Sequence, residues 1–492
     1  MKNKKNIIFI VVSMIFVISF LLLNKTNNVR QIKVKELNYN VTYKEAFPDE
    51  NLRRGVVLCI MRDKCKDSEA QYFRYDGNLS LYDNSNFLTD SRLGAVITED
   101  EIKTKEEEQL SKTDLDKLEF LVANNYQKEI STLQGIEYLL NIKSISLTNI
   151  QTENIDLSSN KELKYLKINA NKANSINLNQ NLKLERVELY LSPNEKNLDL
   201  SHLTNLKSLK SLWSGLKVVR LPNGVTSVSL QQNKITDINI PNSVKDLDLK
   251  YNNLTHIDLP EGIKWVALNQ NKITDINIPS TVKRLYMEYN NLTSITLPSG
   301  MEVANLGYNK IENVTLRGPV ETLVLENNNI SHIDLVEGIK KLYLNSNKIE
   351  EITLPSTLID LRIDSNKISH IDLPVGIQYA NLSYNKISNI DVRNKTNLVS
   401  LDLLSNLLED IDVSNNSKLG VIRFYLKNSK DTIDFSNNPN LREVEIYSEN
   451  KAKIKSLDFS NNPDLYRLKL HSLGLTNLNI DSNINLGDID LY

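Results

Sequence analysis

Cysteine is almost absent. The 492 residues hold two, Cys59 and Cys65, too few for a disulfide framework. Five residues lie between them, so outside a cell they either close one small loop or stay as two thiols. Histidine is nearly as scarce, and the five copies (His202, His256, His332, His370 and His471) are scattered. None lies near the cysteines, which excludes a thiol–imidazole pair or a zinc set there. His256, His332 and His370 share the context T/S-H-I-D-L. That marks a recurring solvated position and not a catalytic triad. P-loop, G-x-G-x-x-G, H-E-x-x-H and C-x-x-C motifs are missing. An excess of one charge is missing too: 59 Lys and Arg face 61 Asp and Glu, for a net charge of −2. With no basic block, nothing favours nucleic acid as a partner. Asp246/Asp248 and Asp360/Asp364 come nearest to a hard-cation site, but Lys250 and Arg362 beside them make cross-strand ion pairs the better reading. No catalytic residue, metal or cofactor is expected, and the chain reads as a non-enzyme.

Long apolar runs are limited to one. Residues 7–23, IIFIVVSMIFVISFLLL, succeed Lys2, Lys4 and Lys5, and as a helix they would span roughly 26 Å, close to the hydrocarbon thickness of a bilayer. The run reads as a signal peptide or an uncleaved signal-anchor within residues 1–27. Without an A-x-A site or a lipobox-like cysteine after it, the uncleaved anchor is preferred. Lys25, Arg30, Lys33 and Lys35 lie just beyond, so flanking charge leaves orientation open. An export-type leader before a large polar body favours the outside. The sequence contains no L-P-x-T-G sorting signal and no second span.

Residues 28–133 show no repeat and read as a cap. FPDENLRRGVVLCIM (47–61) predicts a helix with Asp49 as N-cap and Leu52, Val56 and Ile60 on one face. Within 96–121, Thr98 and Glu101 predict a capping box before a charged helical stretch. These elements are expected to cover the open end of the repeat body.

From Pro222 to Val392 the chain consists of nine tandem segments of nineteen residues without an insertion, such as PNSVKDLDLKYNNLTHIDL (241–259) and PSTLIDLRIDSNKISHIDL (355–373). The shared pattern is P-x-x-[VIL]-x-x-L-x-L-x-x-N-x-[IL]-x-x-I-x-L. The L-x-L step alternates with period two, as in a strand buried on one face. One segment has too few apolar groups for a core, but parallel stacking lets successive units bury their aliphatic rows against one another. The Asn column, from Asn233 through Asn252 to Asn385, falls where the chain leaves the strand. An inward amide there would satisfy backbone groups of its own and the next turn. Four less regular units occupy 134–221, and longer units with S-N-N-x-x-L turns occupy 393–492.

These features resemble the leucine-rich repeat family. The nineteen-residue block is similar to the short, Pro-started repeats of bacterial type III effectors, and TLQGIEYLLNIKSISLTN (132–149) resembles the entry into internalin-type surface proteins. Ligases of the effector class carry a catalytic domain after their repeats, whereas here the repeats run to the last residues. The resemblance implies a curved parallel sheet. Nineteen residues leave no room for an outer helix, so an extended return is expected, with pairs such as Ile238/Ile240, Ile257/Leu259 and Ile371/Leu373 pointing inward. Some fourteen units would give a body roughly 65 Å long.

Residues between the inward aliphatics should face an exposed concave sheet. Trp265, Arg284 and Tyr286 fall on adjacent strands there, and Lys341, Tyr343, Arg362 and Tyr379 form a second group. Aromatic residues with arginine dominate binding hot spots, so these seven are the candidate contacts for a protein ligand. Tyr251, Tyr289, Tyr308 and Tyr384 are expected to cover the corner. The function expected is that of a surface-exposed adhesin or receptor, the alternative being a secreted effector-like modulator of host cells.

Overall fold

A computed structural model describes residues 37–61, 99–123, 128–194, 196–427, 433–448 and 454–491. The apolar run 7–23, Thr98 and Cys65 lie outside the described residues. Among the described residues, no helix is long and apolar enough to cross a membrane.

Nineteen parallel strands form one continuous sheet. It runs from Phe120–Ala123, which pairs with Ser144–Leu147, to Asp488–Leu491, which pairs with Arg467–His471. The sheet is longer than fourteen units because the irregular segments on both sides of the nineteen-residue block each contribute a strand. At the usual strand spacing it extends roughly 90 Å. Behind it the chain returns in extended conformation. Short return strands pair in parallel, as Ser294–Leu297 does with Asn313–Leu316, and Ile238, Ile240, Ile257, Ile371 and Leu373 are buried. The described α-helices all precede the repeats. The fold is a leucine-rich repeat solenoid with a small helical amino-terminal region.

The core is a set of aliphatic columns. In the strands Asp246–Asp248, Trp265–Ala267 and Arg284–Tyr286, the central residues Leu247, Val266 and Leu285 are paired in register and have no exposed surface. A one-residue slip would put every one of them on the solvent face, so the register is fixed by burial.

Buried corners demand partners for the backbone, and asparagine supplies them. Asn290 Nδ2 donates to the Leu268 carbonyl at 3.0 Å and the Met287 carbonyl at 3.1 Å, while its Oδ1 accepts from the Ile273 amide at 3.0 Å. Asn252 and Asn271 repeat the pattern. The amide therefore links its own unit to the preceding one and not to the next. It must, because the preceding unit's carbonyl and amide are the ones left pointing into the corner.

A second asparagine ladder emerges in the longer units. Asn181, Asn416, Asn438, Asn462 and Asn483 each donate to two carbonyls, for example Asn438 Nδ2 to Val413 O and Asn416 O, both at 2.9 Å. These are the second Asn or its equivalent in the S-N-N-type turns. In seven of the nine nineteen-residue units a proline opens the turn at that place, as where the Val244 amide donates to Pro241 O at 3.0 Å and Val282 to Pro279 O at 3.1 Å. Proline pre-sets the turn and needs no amide ladder, which is how the shorter unit closes.

The cap covers the first coil. We number its helices α1 (Tyr43–Ala46), α2 (Glu50–Met61), α3 (Glu99–Glu107) and α4 (Lys112–Asp116). Asp49 caps α2, accepting from Asn51 N at 3.0 Å and Leu52 N at 2.9 Å, and its other oxygen takes the Ser131 amide at 2.6 Å. Arg54 ties α2 to α3 through two bonds to Glu99, at 2.7 and 2.6 Å. Gly55 lets α2 sit on the first strand: a Cβ there would stand 3.1 Å from that of Ala123. Cys59 is buried inside the cap.

Replacing Asn290 by Ala strands the Ile273 amide in a dry corner, while the Leu268 and Met287 carbonyls keep one donor each, from Asn271 and Asn309. At about 1–3 kcal/mol for an unsatisfied buried group, the expected loss is about 2 kcal/mol. Urea denaturation should show it as a lower midpoint.

Candidate functional site

The concave face is built by alternation: in each strand the residues flanking the buried aliphatic point outward. Trp265 stands directly opposite Arg284, and Ala267 opposite Tyr286. The diagonal places the Trp265 and Tyr286 rings 6.1 Å apart at 50°. Trp265 and Tyr286 are half-buried and Arg284 is exposed. Arg284 Nε reaches Glu302 at 2.7 Å, and that hydrogen bond holds the guanidinium above its ordinary pKa. The three residues of the first group are therefore contiguous.

The second group is brought together in part. Tyr343 opposes Arg362, whose guanidinium lies 4.6 Å from the ring centroid, a cation–π distance. The Tyr343 hydroxyl donates to Asp360 at 2.8 Å, and burial, then this carboxylate, pushes the phenol's pKa up. Charge alone pairs Arg362 with an aspartate, but the ring takes it. Lys341 opposes Asp360, which in turn opposes Tyr379. Tyr379 is 45% exposed, two strands from Tyr343 and without a ring contact to it among the described residues.

Of the acidic residues considered as cation ligands, Asp248 and Asp360 are otherwise engaged. Asp248 is 7% exposed and meets Lys250 at 3.3 Å and the Gln231 amide. Burial raises its pKa. His256 and His332 are exposed on the return, beside Asp258 at 3.2 Å and Asp334 at 3.1 Å.

Toward the carboxyl end the same columns become a lattice of opposite charges. Asp402, Arg423, Glu445 and Lys469 oppose one another in sequence, as do Glu443, Arg467 and Asp488. Arg423 meets Glu443 at 2.7 Å, Asp402 at 3.3 Å and Glu445 at 3.5 Å. Burial opposes ionisation of Glu443, but the Tyr466 hydroxyl and Arg423 outweigh it and hold its pKa below the ordinary range.

The corner tyrosines differ from expectation. Tyr251, Tyr289, Tyr308 and Tyr384 precede the Asn column in left-handed conformation, φ 53° to 57°, and are 41% to 62% exposed. They project outward because the turn spends its inward position on the asparagine beside each of them. Tyr289 and Tyr308 stack at 4.3 Å and 12°. Sequence reasoning misses this exposed pair. The signal is present, since the same column carries Gln232 and Gln270 elsewhere, and a column that tolerates glutamine is solvated.

The arrangement defines a leucine-rich repeat scaffold with an accessible, aromatic-bearing inner face. Among solved structures, YopM from Yersinia enterocolitica is similar over 76% of this chain and 91% of its own, at 19% identity and a TM-score of 0.52. A leucine-rich repeat protein of Leptospira interrogans is similar over 74% of this chain and 93% of its own, at 19% identity and a TM-score of 0.48. InlJ from Listeria monocytogenes is similar over 92% of this chain and 70% of its own, at 20% identity and a TM-score of 0.29. At such identity the likeness to YopM speaks for the fold alone. No family model matches the chain, and no curated protein does.

This geometry carries two expected outcomes. L-side chains other than Asn pay roughly 1 kcal/mol or more in left-handed conformation, so Tyr384→Asn should raise the thermal midpoint despite removing an aromatic ring. Glu443, with its lowered folded pKa, contributes stability that is full above the ordinary glutamate value of 4.5 and is lost as pH falls through the folded value. Glu443→Gln should lower the melting temperature at neutral pH and flatten its decline below about pH 4.5, read by scanning calorimetry.

Proposed function

We propose that this protein is a non-enzymatic binding scaffold that engages a protein ligand along the concave face, centred on Trp265, Arg284 and Tyr286. Lys341, Tyr343, Arg362 and Tyr379 extend the contact. The observation that carries the reading is the contiguous, outward-facing placement of half-buried Trp265 and Tyr286 with exposed Arg284. Such residues supply large area at low rotamer cost, and the guanidinium adds direction. The neighbouring ion pair with Glu302 is exposed and so costs little to exchange for a partner's carboxylate.

The apolar run 7–23 supports display at the cell surface, with residues 1–27 as the leader, 28–133 as the cap and the three repeat blocks outside. A secreted, effector-like modulator with the leader removed is the second reading, favoured by the Pro-started repeat pattern. Mass spectrometry of the mature amino terminus separates them. An intact Met1–Leu23 in the membrane fraction supports the anchored form, and a terminus beyond Leu23 supports the secreted one. Protease treatment of intact cells should release repeat fragments, and their retention would remove the surface assignment. Once a ligand is identified by cross-linking on intact cells, Trp265→Ala with Tyr286→Ala should weaken its binding by roughly a hundredfold, as two hot-spot residues imply. The return-face variant His332→Ala should leave it unchanged. Unchanged affinity in the double variant would move the site elsewhere.

A further inference from the structure

The corner of the irregular repeats departs from the rule that governs the regular block. In the nine regular units the residue at the Asn position is turned inward and spends its amide on backbone. In the unit containing the strand Tyr165–Asn169, the chain instead turns Ala170 and Ala173 inward, both fully buried, and Asn171, at the equivalent position, is exposed. Two units later, buried Ser211 and Ser214 replace the inward aliphatic and the asparagine, with the Ser214 hydroxyl taking the Leu191 amide at 3.0 Å. Between these serines Trp213 sits in left-handed conformation, φ 49°, and is 57% exposed. The regular units place glutamine or tyrosine there, as at Gln232 and Tyr289, so the turn aims Trp213 outward as it does the corner tyrosines.

These departures converge on one cavity. It has a volume of about 370 Å³ and is lined by Trp213, Tyr190, Leu212, Asn169, Asn171 and Lys167. The Tyr190 ring is fixed by its hydroxyl, which donates to Glu188 at 2.6 Å, and by Lys210, 5.9 Å from the ring centroid. Lys167 lies 3.6 Å from the same carboxylate, so the cationic side chains here are already answered. The remaining polar groups are neutral amides. Asn169 Oδ1 is buried and accepts no hydrogen bond among the described residues. Asn269 and Asn345, in the same column, also leave Oδ1 without a partner among the described residues, but Asn269 commits its Nδ2 to Glu288 and Asn345 to Glu326.

We propose that this cavity binds a neutral saccharide unit. The exposed Trp213 ring offers a face to the C–H groups of a pyranose, the Tyr190 ring adds to the wall, two asparagine side chains offer amides to vicinal hydroxyls, and the charges are compensated. An anionic ligand would find Lys167, the charged side chain of the lining, already paired with Glu188, and a peptide would find no open sheet edge. The volume falls at the small end of ligand clefts, about 300–1,000 Å³, which suits one or two sugar rings. The strand Ser208–Ser211 is three strands from Trp265, so this site stands or falls separately from the protein-binding face.

The test uses the full chain carrying Trp265→Phe, which leaves Trp213 as the sole tryptophan of the two in the sequence. Its fluorescence is titrated with the methyl glycosides of glucose, galactose, mannose and N-acetylglucosamine. A blocked neutral tripeptide and inorganic phosphate serve as competing probes. A saturable change at millimolar glycoside, absent with the other probes, is expected. By ligand-observed NMR, Trp213→Gln should weaken that glycoside by roughly tenfold, the worth of one aromatic contact, and Asn169→Ala should weaken it as well. Because two regular units carry glutamine at this corner, Gln232 and Gln270, Trp213→Gln should melt as the parent does. Saturation by none of the glycosides, saturation by the tripeptide or phosphate instead, or undiminished glycoside binding in Trp213→Gln would overturn the proposal.

Discussion

Everything in this solenoid depends on disposing of backbone polar groups at corners that water cannot reach. A nineteen-residue coil turns sharply with little chain, and the groups it leaves unpaired point inward. The asparagine side chain is short enough to fit inside the turn and carries donors and an acceptor on one rigid plane, so a single residue can answer carbonyls from two units and an amide. The aliphatic columns supply most of the burial and forbid a one-residue slip, but a slip of two would keep their alternation. The amide ladder admits a single stacking, because its geometry is met only when adjacent coils are in register.

The same economy explains the two classes of unit. Where residues suffice, a second asparagine ladder holds the turn before the strand, as at Asn416, Asn438 and Asn462. Where they do not, proline fixes the turn in advance. The inner face then inherits a gradient that neither turn imposes. Toward the carboxyl end its outward positions are consumed by mutual ion pairing around Arg423, Glu443 and Arg467. In the regular block they carry rings, amides and isolated ion pairs such as Arg284 with Glu302. A face saturated with internal partners has little left to offer another molecule, and the middle of the sheet is where that saturation ends.

Much of this is legible in the sequence. The strict spacing specifies strands, their common register and the columns facing outward, because alternation along a strand leaves no freedom once one face is buried. It puts Trp265, Arg284 and Tyr286 on neighbouring strands and correctly makes Asp49 a helix cap. What it misses are matters of direction and partnership. Spacing does not say whether an amide reaches forward or back, so the asparagine reads as serving the next coil when it serves the one before. Charge matches Arg362 with a carboxylate, whereas Tyr343 offers a nearer flat surface. Aromatic residues are usually buried, which makes the corner tyrosines look like cover, but the left-handed turn aims them at solvent. Trp213 escapes notice because its unit breaks the pattern by which the others align.

The invariance of the nineteen-residue step makes the inner sheet a ruler. Arg284 and Lys341 are separated by three strand steps through Val303 and Thr322, roughly 14 Å at ordinary strand spacing. Duplication or loss of one whole coil would shift the distance between the two aromatic groups by a single fixed increment while leaving every corner intact. Such a chain can change its reach in quantised jumps, retuning which molecular outlines it spans without first passing through a misfolded ancestor.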